Sequence, residues 1–319
     1  LVGSEMCIRD RYPPFRVAAL CTFLLEVKLM EQLLSLLKTI PEYAAMVSSL
    51  QDGESVAVTG IGQINRSHMI AGLCRSINRP MVVLCQDDLA ARRLQEELKG
   101  FLSDIAPILP GRDLTLYDAA VVSRSWEQKR LRQLYDLAVG KTGLQIMTWE
   151  SLSLRTMPKA ALLSAAFSLE VGREYAVEGL TSRLTAAGYN RCGMVEGPGQ
   201  FAVRGGILDI FSPAEDRPVR AEFFGDELDT MGFFDPATQR RSENITSVTV
   251  LPVAETQPGL HPGGVEGLCK DITSLISRQK RRKNINEPLI ATLEKDLNKY
   301  ESGLHNPASD RYMALIYPE

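Results

Sequence analysis

The sequence lacks the residue clusters from which metal centres and disulfide frameworks are built. Its six cysteines include no C-x-x-C pair, and its three histidines, His68, His261 and His305, are far apart. Zinc sites need cysteine or histidine ligands at short, regular spacings. We therefore predict no metal site, and reduced cysteines, which are typical of a cytoplasmic protein.

Long apolar runs and an excess of basic charge are also missing. No segment approaches the ~18 to 20 consecutive apolar residues that a membrane-spanning helix needs. The net charge is −3 and the isoelectric point is about 5.8, whereas a protein that binds nucleic acid through its overall charge is strongly basic. The composition predicts no membrane span, and any DNA contact would need a local basic patch.

The first 29 residues differ from the rest of the chain. The opening L-V-G-S-E-M-C-I-R-D-R resembles translated adaptor sequence, and residues 17–25 form a short apolar run. A secretory signal would continue into a cleavage site of small residues, whereas Glu26 and Lys28 follow at once. We interpret residues 1–29 as a non-native or disordered leader and expect the native chain to start at Met30.

Residues 30–158 alternate between strand and helix patterns. Apolar or β-branched runs at residues 55–59, 81–85 and 144–148 predict buried strands, and the amphipathic segments between them predict helices. Uninterrupted apolar strands separated by helices are typical of a parallel sheet covered on both faces. The sequence therefore predicts an α/β domain over residues 30–158.

The pattern changes near residue 159. Up to residue 252 the chain consists of short segments of alternating polarity, tight turns, and one helical segment that ends at Gly188. Alternating polarity predicts antiparallel strands with one exposed face. Residues 159–252 are thus predicted to form a separate small α+β domain, and residues 253–319 return to charged, helical sequence.

The segment G-I-G-Q-I-N-R-S, residues 60–67, has the outline of a phosphate-binding loop. In the pattern G-x-x-x-x-G-K-[ST], backbone amides hold phosphate oxygens, the lysine balances their charge and the hydroxyl binds magnesium. Here Asn65 replaces the second glycine and Arg66 replaces the lysine, and a planar guanidinium does not substitute for a compact ammonium in a tight loop. We predict a degenerate loop without productive ATP binding, formed by Gly60, Gly62, Asn65, Arg66 and Ser67.

ATP hydrolysis would also need an acidic partner, for which D-E-L-D at residues 226–229 is the candidate. The preceding segment alternates charged and apolar residues, which predicts a half-exposed antiparallel strand rather than the buried parallel strand of a motor. Gly225 and Asp226 fit a hairpin turn better than a metal site. We predict no catalytic residue in this chain.

The run R-Q-K-R-R-K, residues 278–283, is the candidate for a contact with nucleic acid. On a helix its charges spread around the circumference, and acidic residues resume at Glu287 and Glu294. This pattern favours a solvated helix face. The alternative is a DNA-binding module whose affinity falls steeply with salt.

The segment from Tyr189 to Pro213 has the composition of a protein-binding surface. Arg191 and Arg204 lie on either side of a Gly-Pro-Gly turn, with Phe201 in the same hairpin. Arginine beside exposed aromatic and aliphatic side chains is common at the centre of protein interfaces. The alternative is a hairpin whose arginine stems only cover apolar surface.

This hairpin and the strands after it resemble a known family. The segments are E-G-P-G-Q-F-A-V-R-G-G-I-L-D-I-F, P-V-R-A-E-F-F-G-D-E-L-D, F-F-D-P-A-T-Q-R and S-V-T-V-L-P. They resemble the amino-terminal region of bacterial transcription-repair coupling factors, which is itself similar to UvrB, the damage-recognition subunit of the UvrABC excinuclease. The resemblance covers the chain from Met30 to its end. It implies a P-loop-like parallel-sheet domain with a degenerate loop, an inserted α+β domain, and a return segment over residues 253–319 that is truncated at its C-terminus.

The resemblance also implies a function. In the family the inserted domain binds UvrA, another protein of the same excinuclease, ATP and magnesium serve a DNA-translocating motor further along the chain, and RNA polymerase and DNA are contacted by other regions. Arg191, Phe201 and Arg204 would lie in the UvrA-binding surface, although Ala202 stands where UvrB has a further arginine. We expect a cytoplasmic recruitment module for transcription-coupled nucleotide excision repair, without cofactor or catalysis of its own. The alternative is a piece of a UvrB-like protein that still binds ATP.

Overall fold

The chain packs as two compact units. The structure, a computed structural model, describes residues 30–77, 79–102, 105–111, 125–304 and 306–318, with the backbone alone at residues 64 and 125. The predicted leader over residues 1–29 lies outside the described residues. Among the described residues, those within Leu1–Ile108 and Thr142–Trp149 form unit 1, and those within Leu109–Lys141 and Glu150–Glu319 form unit 2.

Unit 1 contains four helices and a small parallel sheet among its described residues. The helices are α1 (30–36), α2 (Pro41–Gln51), α3 (Gln63–Ser76) and α4 (Asp88–Lys99), and the strands are β1 (Met81–Cys85), β2 (Ile108–Leu109, at the unit boundary) and β3 (Leu144–Thr148). The strand order is β1-β3-β2, and β1 pairs in parallel with β3 from Met81 opposite Leu144 to Cys85 opposite Thr148. The two predicted parallel strands are therefore confirmed.

The strand predicted at residues 55–59 is wrong. Residues 54–59 are exposed and form no regular element. A short β-branched segment becomes a strand only when a neighbouring strand supplies hydrogen-bond partners, and no strand in the described part of unit 1 pairs with this one. The P-loop-like arrangement of the first domain, which requires this strand, stays a prediction.

Strand β1 lies at one edge of the described sheet, and its two faces differ in exposure to solvent. Met81, Val83 and Cys85 pack into the core of unit 1 with residues such as Ile146, whereas Val82 and Leu84 are 55% and 44% exposed. After β1, the side chain of Asp87 accepts a hydrogen bond from Ala90 N at 2.8 Å and so caps the start of α4.

Unit 2 combines antiparallel strands with helices. Its helices are α5 (Ser125–Ala138), α6 (Trp149–Ser153, which begins at the unit boundary), α7 (Lys159–Ala165), α8 (Val177–Ala186), α9 (Gly264–Lys280), α10 (Glu287–Glu301) and α11 (Met313–Ile316). Its strands are β4 (Phe167–Glu170), β5 (Asn190–Arg191), β6 (Gln200–Arg204), β7 (Ile207–Ile210), β8 (Val219–Phe224), β9 (Glu227–Phe234), β10 (Arg241–Asn244) and β11 (Ser247–Val250). The mixed α/β class predicted from the sequence is confirmed.

The main sheet of unit 2 has six strands in the order β10-β9-β8-β7-β6-β5. Neighbours from β6 to β10 are antiparallel, β5 pairs with β6 in parallel, and β4 pairs with β11 in a separate two-stranded sheet. One face of the main sheet packs with α8 around Leu184, Phe201 and Leu208, all of which are fully buried. Gly188 has a φ of +89°, a conformation that glycine adopts without strain, and it ends α8 as predicted.

A second core in unit 2 is helical. It brings Leu131 and Met157 together with α9, α10 and the segment after residue 306. The segment 253–319 therefore packs on residues that the sequence assigned to the first domain. The predicted boundaries at residues 158 and 252 follow changes of sequence pattern, whereas the two units follow packing, so these boundaries stay predictions.

Candidate functional site

The residues of the degenerate phosphate loop form an open turn at the start of a helix. Gly60 has a φ of +78°, Gly62 is the N-cap of α3, and Asn65 N donates to Gly62 O at 3.0 Å. Asn65 and Arg66 are exposed in the first turn of α3, while Ser67 is buried. Asn65 does not adopt the positive φ that would substitute for glycine, since Gln239 alone does so among the described non-glycine residues. Whether this turn binds a nucleotide stays a prediction.

The D-E-L-D segment lies where the sequence predicted a hairpin. Gly225 has a φ of +63° in the turn between β8 and β9, and Phe224 pairs with Glu227 across it. Asp226 therefore belongs to the turn, and Glu227 and Asp229 belong to an antiparallel strand, as predicted. Within the described residues, no group of three or more histidine, cysteine, aspartate or glutamate side chains is placed to hold a metal ion.

The three residues predicted to bind UvrA, Arg191, Phe201 and Arg204, lie in three different environments. Arg191 is exposed on the edge strand β5, and Arg204 is 44% exposed at the end of β6. Phe201 is fully buried in the core under α8. The exposure predicted for this phenylalanine is wrong, because it lies on the face of β6 that the helix covers.

The pairing of the strands places Arg191 and Arg204 on opposite faces of the sheet. Arg191 pairs with Phe201 in the parallel ladder, so it lies on the Phe201 side of the sheet. Arg204 lies on the opposite side, together with Ala202 and Asp209, because successive side chains on a strand alternate between faces. A surface that contains both arginines has to reach around the β5 edge.

A buried carboxylate holds Arg204 in place. Asp209 is fully buried, and its Oδ2 accepts from Arg204 Nη2 at 2.5 Å. Arg220 donates to both oxygens of the same carboxylate, from Nε at 2.7 Å and Nη2 at 2.9 Å, and its guanidinium lies 4.6 Å from the centre of the Phe234 ring. This hydrogen bonding with Asp209 raises the pKa of Arg220. Two guanidiniums share one carboxylate, so the cluster keeps one positive charge in excess.

Sequence reasoning missed an exposed aromatic residue on the same face. Phe224 is 84% exposed, and it follows Arg220 and Glu222 at the alternating positions of β8 that face away from α8. Phe223 N donates to Gly206 O at 2.7 Å, which places the β6–β7 turn and Arg204 at the same end of the sheet. The alternation along β8 could have predicted this exposure. Val219 and Ala221 are buried, so the alternate positions, which include Phe224, face away from the core.

The basic run at residues 278–283 begins in α9, which ends at Lys280. Arg278 and Lys280 are exposed, and Lys280 Nζ lies 2.8 Å from Glu294 Oε1. An exposed pair of this kind is compatible with the solvated face that the sequence predicted. No helix in the described part of the chain is long and apolar enough to cross a membrane.

Comparison with known proteins identifies relatives. Residues 167–255 match the family model of the UvrB interaction domain. The chain is 32% identical over 221 residues to a transcription-repair-coupling factor of Myxococcus xanthus, an alignment that covers 67% of this chain and 18% of the relative. The corresponding proteins of Bacillus subtilis (25% identity, 90% of this chain, 25% of the relative) and Escherichia coli (28%, 59% and 16%) also match.

These matches confirm the resemblance that the sequence motifs suggested. The chain is similar to transcription-repair coupling factors and contains a UvrB interaction domain. It spans a quarter or less of the length of these three relatives.

Proposed function

We propose, from this similarity and from the UvrB interaction domain at residues 167–255, that the chain acts in transcription-coupled nucleotide excision repair. Its part is to bring the excinuclease protein UvrA to stalled transcription complexes. The match to the interaction domain is the observation that carries this proposal. The six-stranded sheet, which lies within that domain, is the element we assign to the contact.

The surface consists of the Arg204 cluster and the residues beside it. Asp209 holds Arg204 while leaving its outer face in solvent and one positive charge uncompensated. A fixed guanidinium binds a carboxylate or backbone carbonyl with less loss of conformational entropy than a free one. Phe224 replaces Phe201 as the aromatic residue of this surface because it is exposed on the same face.

Arg191 contributes from the edge of the sheet. β5 is the outermost strand, so its side chains approach a partner from the side rather than from the face. The contact then wraps around the β5 edge. Charge-assisted hydrogen bonds of this kind each contribute about 1.5 to 3 kcal/mol, which suits a transient interface made by a few residues.

The proposal includes no catalysis by this chain. Two observations favour a loop that does not bind ATP. Arg66 stands at the lysine position, and residues 55–59 form no strand before the loop. In the longer relatives, ATP and magnesium, RNA polymerase and DNA would be bound by regions outside the part that this chain matches. The chain would then serve as the docking region of an ATP-driven DNA translocase.

A binding measurement between the purified chain and UvrA tests the proposal. Arg204→Ala and Arg191→Ala are each expected to weaken binding roughly tenfold or more, as loss of one charge-assisted bond predicts. Arg278→Ala removes an exposed arginine from α9 and is the matched control, with no expected change. Unchanged affinity in the Arg191→Ala/Arg204→Ala double variant would refute the assigned surface, and no binding by the unaltered chain would refute the function.

A further inference from the structure

The loop between β5 and β6, residues 192–199, crosses one face of the main sheet. Val195 in this loop is fully buried and packs in a small core with Ala202 of β6. Side chains alternate along a strand, and Phe201 lies under α8, so Ala202 and Arg204 point to the opposite face. The loop therefore starts at the β5 edge and continues on the face that carries Arg204.

The side chain of Gln200 holds the middle of this loop. Its Oε1 accepts hydrogen bonds from Glu196 N at 2.8 Å and from Gly197 N at 3.1 Å. Because both partners are donors, the atom that faces them is the amide oxygen. Gln200 comes two positions before Ala202 on β6 and so points to the same face. The glutamine therefore fixes the backbone of the loop to the strand beneath it.

Both ends of the loop are also hydrogen-bonded to the sheet. Cys192 N donates to Phe201 O at 2.9 Å, and Gly199 N donates to Phe211 O at 2.8 Å. The loop is thus held at its two ends and in its middle. Backbone that is paired in this way has little conformational entropy left to lose when a partner binds.

Met194 is an apolar side chain that this loop exposes to solvent. It is 47% exposed, although its neighbour Val195 is fully buried. The side chain of methionine adapts to the shape of a partner because it is unbranched and its sulfur is polarizable. The fixed backbone of the loop therefore presents an adaptable apolar group at a defined place.

The loop connects the two arginines that we assign to the UvrA contact. Arg191 precedes it at the β5 edge, and Arg204 lies on the face over which it passes. A surface that wraps around this edge has to include the loop. A single exposed apolar residue is ordinary on a protein surface, but Met194 lies on the segment between two assigned contact residues, and methionine and arginine are both enriched at interfaces.

We propose that Met194 is a further contact residue for UvrA, and that Gln200 is a positioning residue that holds it in place. The thioether side chain packs into an apolar depression of UvrA. This depression lies between the partner groups that bind Arg191 and Arg204. The inference rests on the proposed recruitment function and adds to it the chemistry of the partner surface, which has to be apolar between its two sites for arginine.

The affinities of Met194 variants for UvrA test the contact. Met194→Ala is expected to weaken binding roughly tenfold with an unchanged Tm, as truncation of an exposed contact residue predicts. Met194→Leu conserves the volume and should bind within about threefold of the unaltered chain. Leu289→Ala removes a side chain of similar exposure (39%) from α10 and is the matched control. Full affinity in Met194→Ala overturns the assigned contact.

A variant of Gln200 tests the positioning role. Gln200→Met keeps the length of the side chain but removes the oxygen that accepts from Glu196 N and Gly197 N. We expect these two amides to exchange faster with solvent and UvrA binding to weaken, whereas Gln200→Glu keeps an acceptor and should leave both nearly unchanged. Combining Gln200→Met with Met194→Ala should weaken binding no further than the weaker single variant, because both changes act through one contact. Additive losses overturn the positioning role.

The outcomes separate this inference from the recruitment function. If the unaltered chain binds UvrA and Met194→Ala binds equally well, the function stands and the contact is overturned. Absence of binding by the unaltered chain overturns both. Amide exchange of Glu196 and Gly197 is measured without UvrA, and rates equal to those of an unstructured peptide would overturn the positioning role whether or not UvrA binds.

Discussion

Asp209 determines how Arg204 is presented to solvent. An arginine at the end of a strand is normally mobile, yet this one is bonded to a carboxylate that is itself fully buried and bonded to Arg220. The sequence alone did not reveal this arrangement. Arg204 and Asp209 are five residues apart on different strands, and the register that makes them neighbours depends on the tight turn at Gly205 and Gly206.

Replacing Asp209 by asparagine is expected to weaken both stability and UvrA binding. The variant keeps the shape of the side chain but removes the charge that two guanidiniums share, so we expect a loss of about 1 to 3 kcal/mol in the free energy of unfolding. Urea denaturation measures the first effect and a binding titration the second. If Asp209→Asn binds UvrA as tightly as the unaltered chain, the contact does not require Asp209 to hold Arg204.

The two phenylalanines of this region should respond in opposite ways to truncation. Phe201→Ala empties a fully buried position and is expected to cost about 3 to 5 kcal/mol of stability. Phe224→Ala removes an 84% exposed ring, so the Tm should hardly change while UvrA binding weakens roughly tenfold. Thermal melts and affinities of both variants separate these effects, and full affinity in Phe224→Ala would remove this residue from the surface.

At the scale of elements, the strands β1 and β3 and the helices α4 and α5 were predictable because each has a strong periodic or apolar pattern. The apolar pattern of α3 is much weaker. The segment 55–59 has the composition of a strand but no partner in the described sheet. Its composition could not predict this, since a strand depends on hydrogen bonds made by residues far away in sequence. The same limit applies to Phe201, because alternation shows that a strand has two faces but not which face a helix covers.

The start of α3 leads to a prediction about nucleotide binding. The helix begins at Gln63, so Asn65 and Arg66 are already helical and exposed, and the turn lacks both the second glycine and the lysine of a phosphate loop. Calorimetric titration with MgATP is expected to show no binding at submillimolar concentrations. Arg66→Lys should not restore it, because the turn would still lack its second glycine. Tight MgATP binding would instead support the ATP-binding alternative.

At the scale of the molecule, one buried ion pair joins distant parts of unit 2. Arg130 and Glu255 are both fully buried, with Arg130 Nε 3.1 Å from Glu255 Oε2. The same arginine donates to Pro110 O at 2.6 Å, and Met157 N donates to Glu255 Oε1 at 3.0 Å. Glu255 is also the last residue of the match to the interaction domain. The pair therefore fixes the end of that domain to α5 and to the segment before α7.

Breaking this pair is expected to be costly. Glu255→Ala leaves a buried guanidinium without its counter-ion, so we expect a loss of about 3 to 5 kcal/mol in the free energy of unfolding. Asp216→Ala removes the partner of Arg132 in an exposed pair and is expected to cost less than about 1 kcal/mol. Equal effects of the two variants in denaturant titrations would contradict this account.

The uneven faces of β1 have a practical consequence for all of these measurements. Among the described residues, no strand pairs with the outer edge of β1, which lies next to the exposed apolar side chains of Val82 and Leu84. Another copy of the chain can add a strand at such an edge. We expect the purified protein to self-associate as its concentration rises. Light scattering across the working concentrations should therefore accompany each titration, because aggregation lowers the amount of active protein and so mimics a loss of affinity.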